Sequence, residues 1–173
     1  MHGRAERLPW PDANFDRVVC INAFHHFTDK PAFVREARRV LRTGGGVFSV
    51  GLDPHTGLDS WSIYDYFENT LDLDLLRYPP AAQIRSWMTE AGLTLTRTDE
   101  VQHLPIQLDA RSALAEGRFD KRSTSQLSIL TDAEYHAGIQ RIQVAIEAAE
   151  ARGGRLMLGA DLRLYATFGW VQT

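Results

Sequence analysis

The sequence has few of the features that mark secreted, membrane-bound or nucleic-acid-binding proteins. It contains one cysteine in 173 residues, so it cannot form an intramolecular disulfide. Its formal net charge of −3 gives no positive field for nucleic acid or an anionic membrane. No signal-peptide core is visible, and no apolar run approaches the ~20 residues that span a bilayer. These absences predict a cytoplasmic protein that binds neither nucleic acid nor membrane.

The first half of the chain predicts one strand–helix–strand unit. Residues 15–22 contain the continuous apolar run 18–21, which is typical of a parallel strand covered on both faces. The Thr-Asp-Lys-Pro run at 28–31 is a helix start, and we expect this helix to end at the glycines 44–46. Residues 47–52 then form a second buried strand, joined to the first by a right-handed crossover.

The second half predicts three further helices and two further strands, all within one domain that spans residues 1–173. The elements are a short aromatic-rich helix at 61–69, a helix opened by Pro79 and Pro80, a strand at 93–101, a long helix after a capping box at 131–134, and a closing strand at 156–171.

Three sequence blocks carry a family resemblance. They are AERLPWPDANFDRVV at 5–19, NAFHHF at 22–27 and VLRTGGG at 40–46. In combination they resemble the middle of a class I S-adenosylmethionine-dependent methyltransferase of the small-molecule, methyltransferase type 11-like kind. The resemblance implies a partial Rossmann-like α/β fold: about four strands, helices on both faces and an antiparallel C-terminal strand. Insertions at about 53–80 and 102–152 would then form a substrate-side cap.

The same resemblance implies where the cofactor S-adenosylmethionine binds. The backbone amide of Ala5 corresponds to a donor to the adenine ring. An acidic residue often stands where this chain has Arg4, and Glu6 could substitute for it. Asn22 and Ala23 correspond to residues beside the methionine end of the cofactor.

The family's glycine-rich loop has no counterpart in this sequence. In the family, that loop follows a strand, whereas the glycines 44–46 precede one. The resemblance therefore implies the C-terminal half of an enzyme, impaired or inactive as this shortened chain, with weak or absent cofactor binding. It also implies that the strand at 15–22 lacks its usual neighbour. We expect the open edge to be covered in a homodimer.

Two adjacent histidines are candidates for proton transfer. His26 or His25 could remove a proton from the acceptor, since histidine titrates near ~6.5. Packing and a backbone hydrogen bond are the alternative roles. A metal site with Asp53 and His55 is a third interpretation, but adjacent histidines do not reproduce the i, i+4 spacing of a helical zinc site, so we predict no metal.

The acceptor site is expected among Trp61, Tyr64 and Asp53, because ligands of open α/β sheets bind beyond the carboxyl ends of the strands. Core packing is the alternative for the two aromatic residues. Three functions remain open: a methyltransferase acting on a small molecule, a catalytically silent dimeric binding protein, and a metal-dependent hydrolase.

Overall fold

The computed structural model describes residues 3–172, which form an α/β fold with helices on both sides of a sheet. The strands are β1 (Phe15–Ile21), β2 (Leu41–Leu52), β3 (Ser60–Trp61), β4 (Thr94–Asp109) and β5 (Met157–Trp170). The helices are α1 (Lys30–Val40), α2 (Ser62–Tyr66), α3 (Thr70–Arg77), α4 (Ala81–Glu90), α5 (Ala110–Ala115), α6 (Ser125–Ser128) and α7 (Asp132–Glu150).

The chain divides into two compact units. Among the described residues, the first comprises 3–56, 77–103 and 163–172, and the second comprises 57–76 and 104–162. Most of the second unit falls in the two segments that the sequence predicts as insertions. A role for those segments as a substrate-side cap stays a prediction.

The sheet of the first unit confirms the predicted strand–helix–strand order. β1 pairs with β2 in parallel, from Arg17 opposite Gly46 to Ile21 opposite Val50. β2 pairs with the C-terminal part of β5 in antiparallel fashion, as predicted. Buried side chains of α1, α4 and the sheet form the core of this unit: Cys20, Phe24, Phe33, Val34, Ala37, Leu41, Val47, Ile84, Met88, Leu93 and Val171.

The prediction that both faces of the first strand are covered is wrong. Cys20 points into the core and is 6% exposed, whereas Val19 and Ile21 are 59% and 60% exposed. Successive side chains of a strand alternate between its faces, so Val19 and Ile21 share the face opposite the core. Within residues 3–172, β1 pairs only with β2 and lies at the edge of the sheet.

The sequence predicts that the helix ends at the glycine run 44–46, and this prediction is wrong. α1 ends at Val40, and Leu41 is already extended at the start of β2. A Cβ on Gly45 would lie 2.8 Å from the Arg42 carbonyl oxygen and 3.1 Å from that of Asp16. Glycine is therefore required here by the close approach of two backbone segments.

The predicted helix starts are confirmed. Asp29 caps α1 by accepting a 2.9 Å hydrogen bond from the Ala32 amide, with proline in the first turn. In the capping box of α7, the Glu134 amide donates to Thr131 Oγ1 and the Thr131 amide donates to the Glu134 carboxylate. The third predicted strand is longer than expected, because β4 continues to Asp109.

Gly138 lies where α7 crosses the Phe67 ring in the core of the second unit, and a Cβ there would overlap that ring. We expect Gly138→Ala to lower the free energy of unfolding by about 1–3 kcal/mol through overpacking, although alanine favours helix. Urea denaturation measures the change. The loss of unfolding free energy caused by Gly138→Ala should be smaller when Phe67 is also replaced by leucine. Equal losses with Phe67 and with Leu at this position would contradict the steric explanation.

Candidate functional site

Two strand ends define the candidate site in the first unit. Asn22 follows β1 in a left-handed backbone conformation (φ 49°), and its amide donates to the Val50 carbonyl oxygen at 2.8 Å. Asp53 follows β2. Asn22, Ala23 and Asp53 line a small cavity of about 20 Å³ together with Tyr78. This cavity lies at the carboxyl ends of parallel strands, where open α/β sheets bind ligands.

His25 is enclosed by two other rings. Its ring centroid lies 4.0 Å from that of His26 and 4.1 Å from that of Tyr78, and its Nε2 is 3.3 Å from the Tyr78 hydroxyl oxygen. Burial, followed by the nearby charges of His26, Arg77 and Lys30, lowers the pKa of His25 to about 4. The imidazole is therefore neutral at pH 7, and its basicity is poorly matched to general-base catalysis at that pH.

We expect this buried imidazole to make folding sensitive to acid. An unfolded histidine takes up a proton near pH ~6.5, while folded His25 does so only at about 4. Stability should therefore fall as the pH drops below 6.5, by about 3 kcal/mol at pH 4, and this contribution should then level off. Urea denaturation from pH 7 to pH 4 measures it. His25→Gln should remove most of the decline. His26→Gln should keep most of it, because burial is the largest cause of the lowered His25 pKa. Equal declines in both variants would contradict the assignment.

Hydrogen bonds of Asp53 and His55 join the end of β2 to the segment that begins α4, beside the cavity. The Asp53 carboxylate accepts hydrogen bonds from the amides of His55 (3.1 Å) and Ala81 (2.8 Å), and it is 7% exposed. The ring of His55 lies 2.7 Å, through Nε2, from the Tyr78 carbonyl oxygen. Among residues 3–172, no group of three or more histidine, cysteine, aspartate or glutamate side chains is arranged to hold a metal ion. The metal-dependent hydrolase therefore has no support from the described structure.

Trp61 and Tyr64 lie in the second unit. Their rings meet edge to face at 5.5 Å, and Trp61 packs against the core of that unit. The Tyr64 hydroxyl donates a 2.8 Å hydrogen bond to Asp74, which also accepts from the Gln126 side chain at 2.7 Å. Asp74 is fully buried and was not predicted. No spacing in the sequence marks it, since it alternates with leucines in an ordinary amphipathic helix.

The segment before β1 forms a turn in which the Arg7 amide donates to the Arg4 carbonyl oxygen at 3.1 Å. The Glu6 carboxylate accepts from the amides of Thr28 (3.0 Å) and Asp29 (3.4 Å). Hydrogen bonds from its own and these amides lower the pKa of Glu6. This carboxylate is therefore engaged in fixing the turn.

Ala5 lies within this turn, at the edge of an apolar cleft. Among the hydrogen bonds within residues 3–172, none engages the Ala5 amide. Ala5 and Ala23 both line the cleft, which has a volume of about 490 Å³. Its other walls are apolar side chains that include Ile21 and Phe27. A backbone donor beside an apolar cleft suits a flat heteroaromatic ring with a nitrogen acceptor.

The structure thus brings together Ala5, Ala23 and Asn22 around the end of β1, with His25 and Asp53 beside the neighbouring cavity. Sequence reasoning missed Tyr78, whose position directly before two prolines was the only available signal. In the part of the chain that the structure describes, no helix is both long and apolar enough to cross a bilayer.

Comparison with known protein families gives one domain match and several relatives. Residues 1–49 match the family described as "Methyltransferase domain". The chain is 34% identical over 113 residues to the uncharacterized methyltransferase YcgJ of Bacillus subtilis, an alignment that covers 62% of this chain and 42% of that protein. It is 39% identical over 70 residues to a demethylmenaquinone methyltransferase of Deinococcus radiodurans, which covers 40% of this chain and 29% of that protein. The chain thus spans less than half the length of these relatives.

Solved structures show the same fold. A putative methyltransferase from an antibiotic biosynthesis pathway of Anabaena variabilis superposes with a TM-score of 0.61 at 21% identity, covering 96% of this chain and 72% of that one. A putative methyltransferase of Bacillus halodurans gives a TM-score of 0.57 at 21% identity, covering 99% and 76%.

Proposed function

Because the chain belongs to the class I S-adenosylmethionine-dependent methyltransferases, whose methyl donor is S-adenosylmethionine, we propose that its first unit carries part of the donor site of an enzyme that methylates a small molecule. One observation supports the proposal: Ala23 lines both the apolar cleft bordered by the Ala5 turn and the small cavity bordered by Asn22. The Ala5 amide would donate to the adenine ring, and Asn22 and Ala23 would contact the methionine end.

The protein needs to do little covalent work in such a transfer. The methyl group moves from the sulfonium to a nucleophilic atom of the acceptor, the electron pair of the broken bond stays on sulfur, and the acceptor loses its proton where it carries one. Alignment of donor and acceptor supplies most of the rate enhancement. His26 is the candidate for receiving that proton, because burial leaves His25 a weak base. Trp61, Tyr64 and Asp53 stay predictions for the acceptor side.

We further propose that these 173 residues alone bind S-adenosylmethionine weakly. The sequence holds no strand–glycine-rich loop–helix motif and no acidic residue placed after such a unit to bind the ribose. The Glu6 carboxylate, which could have contacted the adenine, is already bonded to Thr28 and Asp29. Losing two or three charge-assisted hydrogen bonds at ~1.5–3 kcal/mol each weakens binding by several powers of ten.

Calorimetry with S-adenosylmethionine and S-adenosylhomocysteine tests this proposal. We expect a dissociation constant above about 100 μM for both compounds, which corresponds to less than ~5.5 kcal/mol of binding free energy. Micromolar affinity with one site per chain would contradict weak binding. Complete absence of heat at millimolar ligand would favour the second candidate function, a catalytically silent dimeric binding protein, which the exposed face of β1 supports.

A further inference from the structure

Two charged side chains of α1 hold the segment that carries Ala5. Arg39 forms a two-point ion pair with Glu36, through Nε to Oε1 and Nη2 to Oε2, both at 2.8 Å. Both side chains also bond to the backbone of Leu8. Arg39 Nη2 also donates to the Leu8 carbonyl oxygen at 3.0 Å, and Glu36 Oε2 accepts from the Leu8 amide at 2.8 Å. Both polar backbone groups of Leu8 are therefore held by one ion pair.

The same guanidinium reaches further along the segment. Arg39 Nη1 donates to the Trp10 carbonyl oxygen at 2.9 Å and to the Asp12 carboxylate at 2.7 Å. An ordinary ion pair on a helix surface contributes little, because water and salt screen the charges and holding two long side chains in place costs entropy. Here the pair links α1 to three alternate positions, Leu8, Trp10 and Asp12, of a segment that has no strand or helix of its own.

The held segment forms one wall of the apolar cleft. Leu8 and Ala5 both line the cleft, and Leu8 lies only three positions after Ala5. Directly after Ala5, the Glu6 carboxylate accepts hydrogen bonds from the amides of Thr28 and Asp29. The turn that carries the Ala5 amide is therefore anchored at Glu6 and at Leu8, in both cases by α1 or the residues that begin it.

We propose that Glu36 and Arg39 are positioning residues, which hold the Ala5 turn so that its amide faces the cleft that would receive the adenine ring. This inference rests on the proposed function, because it concerns the same donor site. The two residues act through the backbone of Leu8 and do not touch the ligand.

Arginine is required at this position by geometry. Its planar fork donates to Glu36, Leu8 and Trp10 from different nitrogens at the same time. A lysine ammonium is a single point with three donors on a flexible stem, so it cannot span these acceptors. Arg35, four residues earlier on the same helix, is exposed and offers a matched control.

The test compares Glu36→Gln and Arg39→Lys with the control Arg35→Lys. Hydrogen exchange at the Leu8 amide and tryptic cleavage after Arg7 report on the segment. We expect both rates to rise at least tenfold in Glu36→Gln and Arg39→Lys and to stay unchanged in the control. Exchange at core amides of β2 should be unchanged in all three, which separates release of the segment from global unfolding.

A second measurement, with adenosine as the probe, tests whether the held segment positions the Ala5 amide for binding. In the unaltered protein, millimolar adenosine should shift the amide resonance of Ala5, and the shift should be lost in Glu36→Gln and Arg39→Lys but not in Arg35→Lys. The positioning role is overturned if exchange at Leu8 is unchanged, or if the Ala5 shift persists in Glu36→Gln and Arg39→Lys. Either result leaves the proposed function intact. No Ala5 shift in the unaltered protein overturns the proposed function, and the positioning role falls with it even where the segment is released.

Discussion

Replacing Val19 with lysine is expected to convert a two-chain assembly into a monomer of 19.5 kDa. Val19 is 59% exposed on β1, beside Ile21 at 60%, so β1 presents an apolar face as well as an open edge. Lysine on an edge strand is a common natural block to strand pairing, because its charge must stay hydrated. In a two-fold arrangement, each substitution would enter the interface twice.

The open edge of β1 would supply a driving force for the expected association. Within residues 3–172, β1 bonds only to β2, so its other side offers unpaired amide and carbonyl groups. Leaving such groups dry and unpaired costs ~1–3 kcal/mol each, against a typical total stability of ~5–15 kcal/mol. Pairing with a second copy would satisfy them and bury Val19 and Ile21 at the same time. Both residues also line the apolar cleft, so the second copy and the adenine ring would compete for this face.

Light scattering at micromolar concentration measures the assembly. We expect twice the chain mass for the unaltered protein and the single-chain mass for Val19→Lys, a loss of at least a hundredfold in association. Val144→Lys is the matched control, because Val144 is equally exposed at 58% but lies on α7. It should leave the dimer intact. A monomer before any substitution, or dissociation in both variants, would contradict a β1 interface.

Removing the carboxylate of Asp74 is expected to cost the second unit much of its stability. Asp74 is fully buried on α3 and accepts from the Tyr64 hydroxyl and the Gln126 amide group. Asp74→Ala would leave two donors without their acceptor, at about 1–3 kcal/mol each. The expected loss in the free energy of unfolding is therefore about 2–6 kcal/mol.

Urea denaturation followed by circular dichroism measures this loss. Asp74→Asn keeps one acceptor oxygen of similar shape, so its cost should be smaller. Asp72→Ala is the control on the same helix, since Asp72 is exposed, and surface changes of this kind are usually within about 0.5 kcal/mol. Similar values for Asp72→Ala and Asp74→Ala would show that the buried network contributes little.

The local structure could be predicted where short-range chemistry decides it. The caps at Asp29 and Thr131 and the parallel pairing of β1 with β2 follow from residue type and spacing. The exposure of Val19 could not be predicted in this way. A continuous apolar run indicates a strand that can be buried on both faces, but only the tertiary arrangement shows which face is covered.

The candidate site was predictable only in part, for a related reason. The strand ends at Asn22 and Asp53 follow from the order of the elements. Nothing in the sequence distinguishes Arg39 from the other arginines of the same helix, and its bonds to Leu8 and Trp10 depend on contacts about 30 residues apart. The Glu6 carboxylate seemed available to a ligand, yet the fold directs it to the start of α1.

The most direct test of the central claim is a titration of the protein with S-adenosylhomocysteine, followed residue by residue through its backbone amide resonances. The account predicts weak, saturable shifts that concentrate at Ala5, Asn22 and Ala23, with a dissociation constant above about 100 μM. Amides of α7 should not move. No shift at these three residues at millimolar ligand, or shifts that map instead to the second unit, would contradict the claim that the first unit carries the donor site.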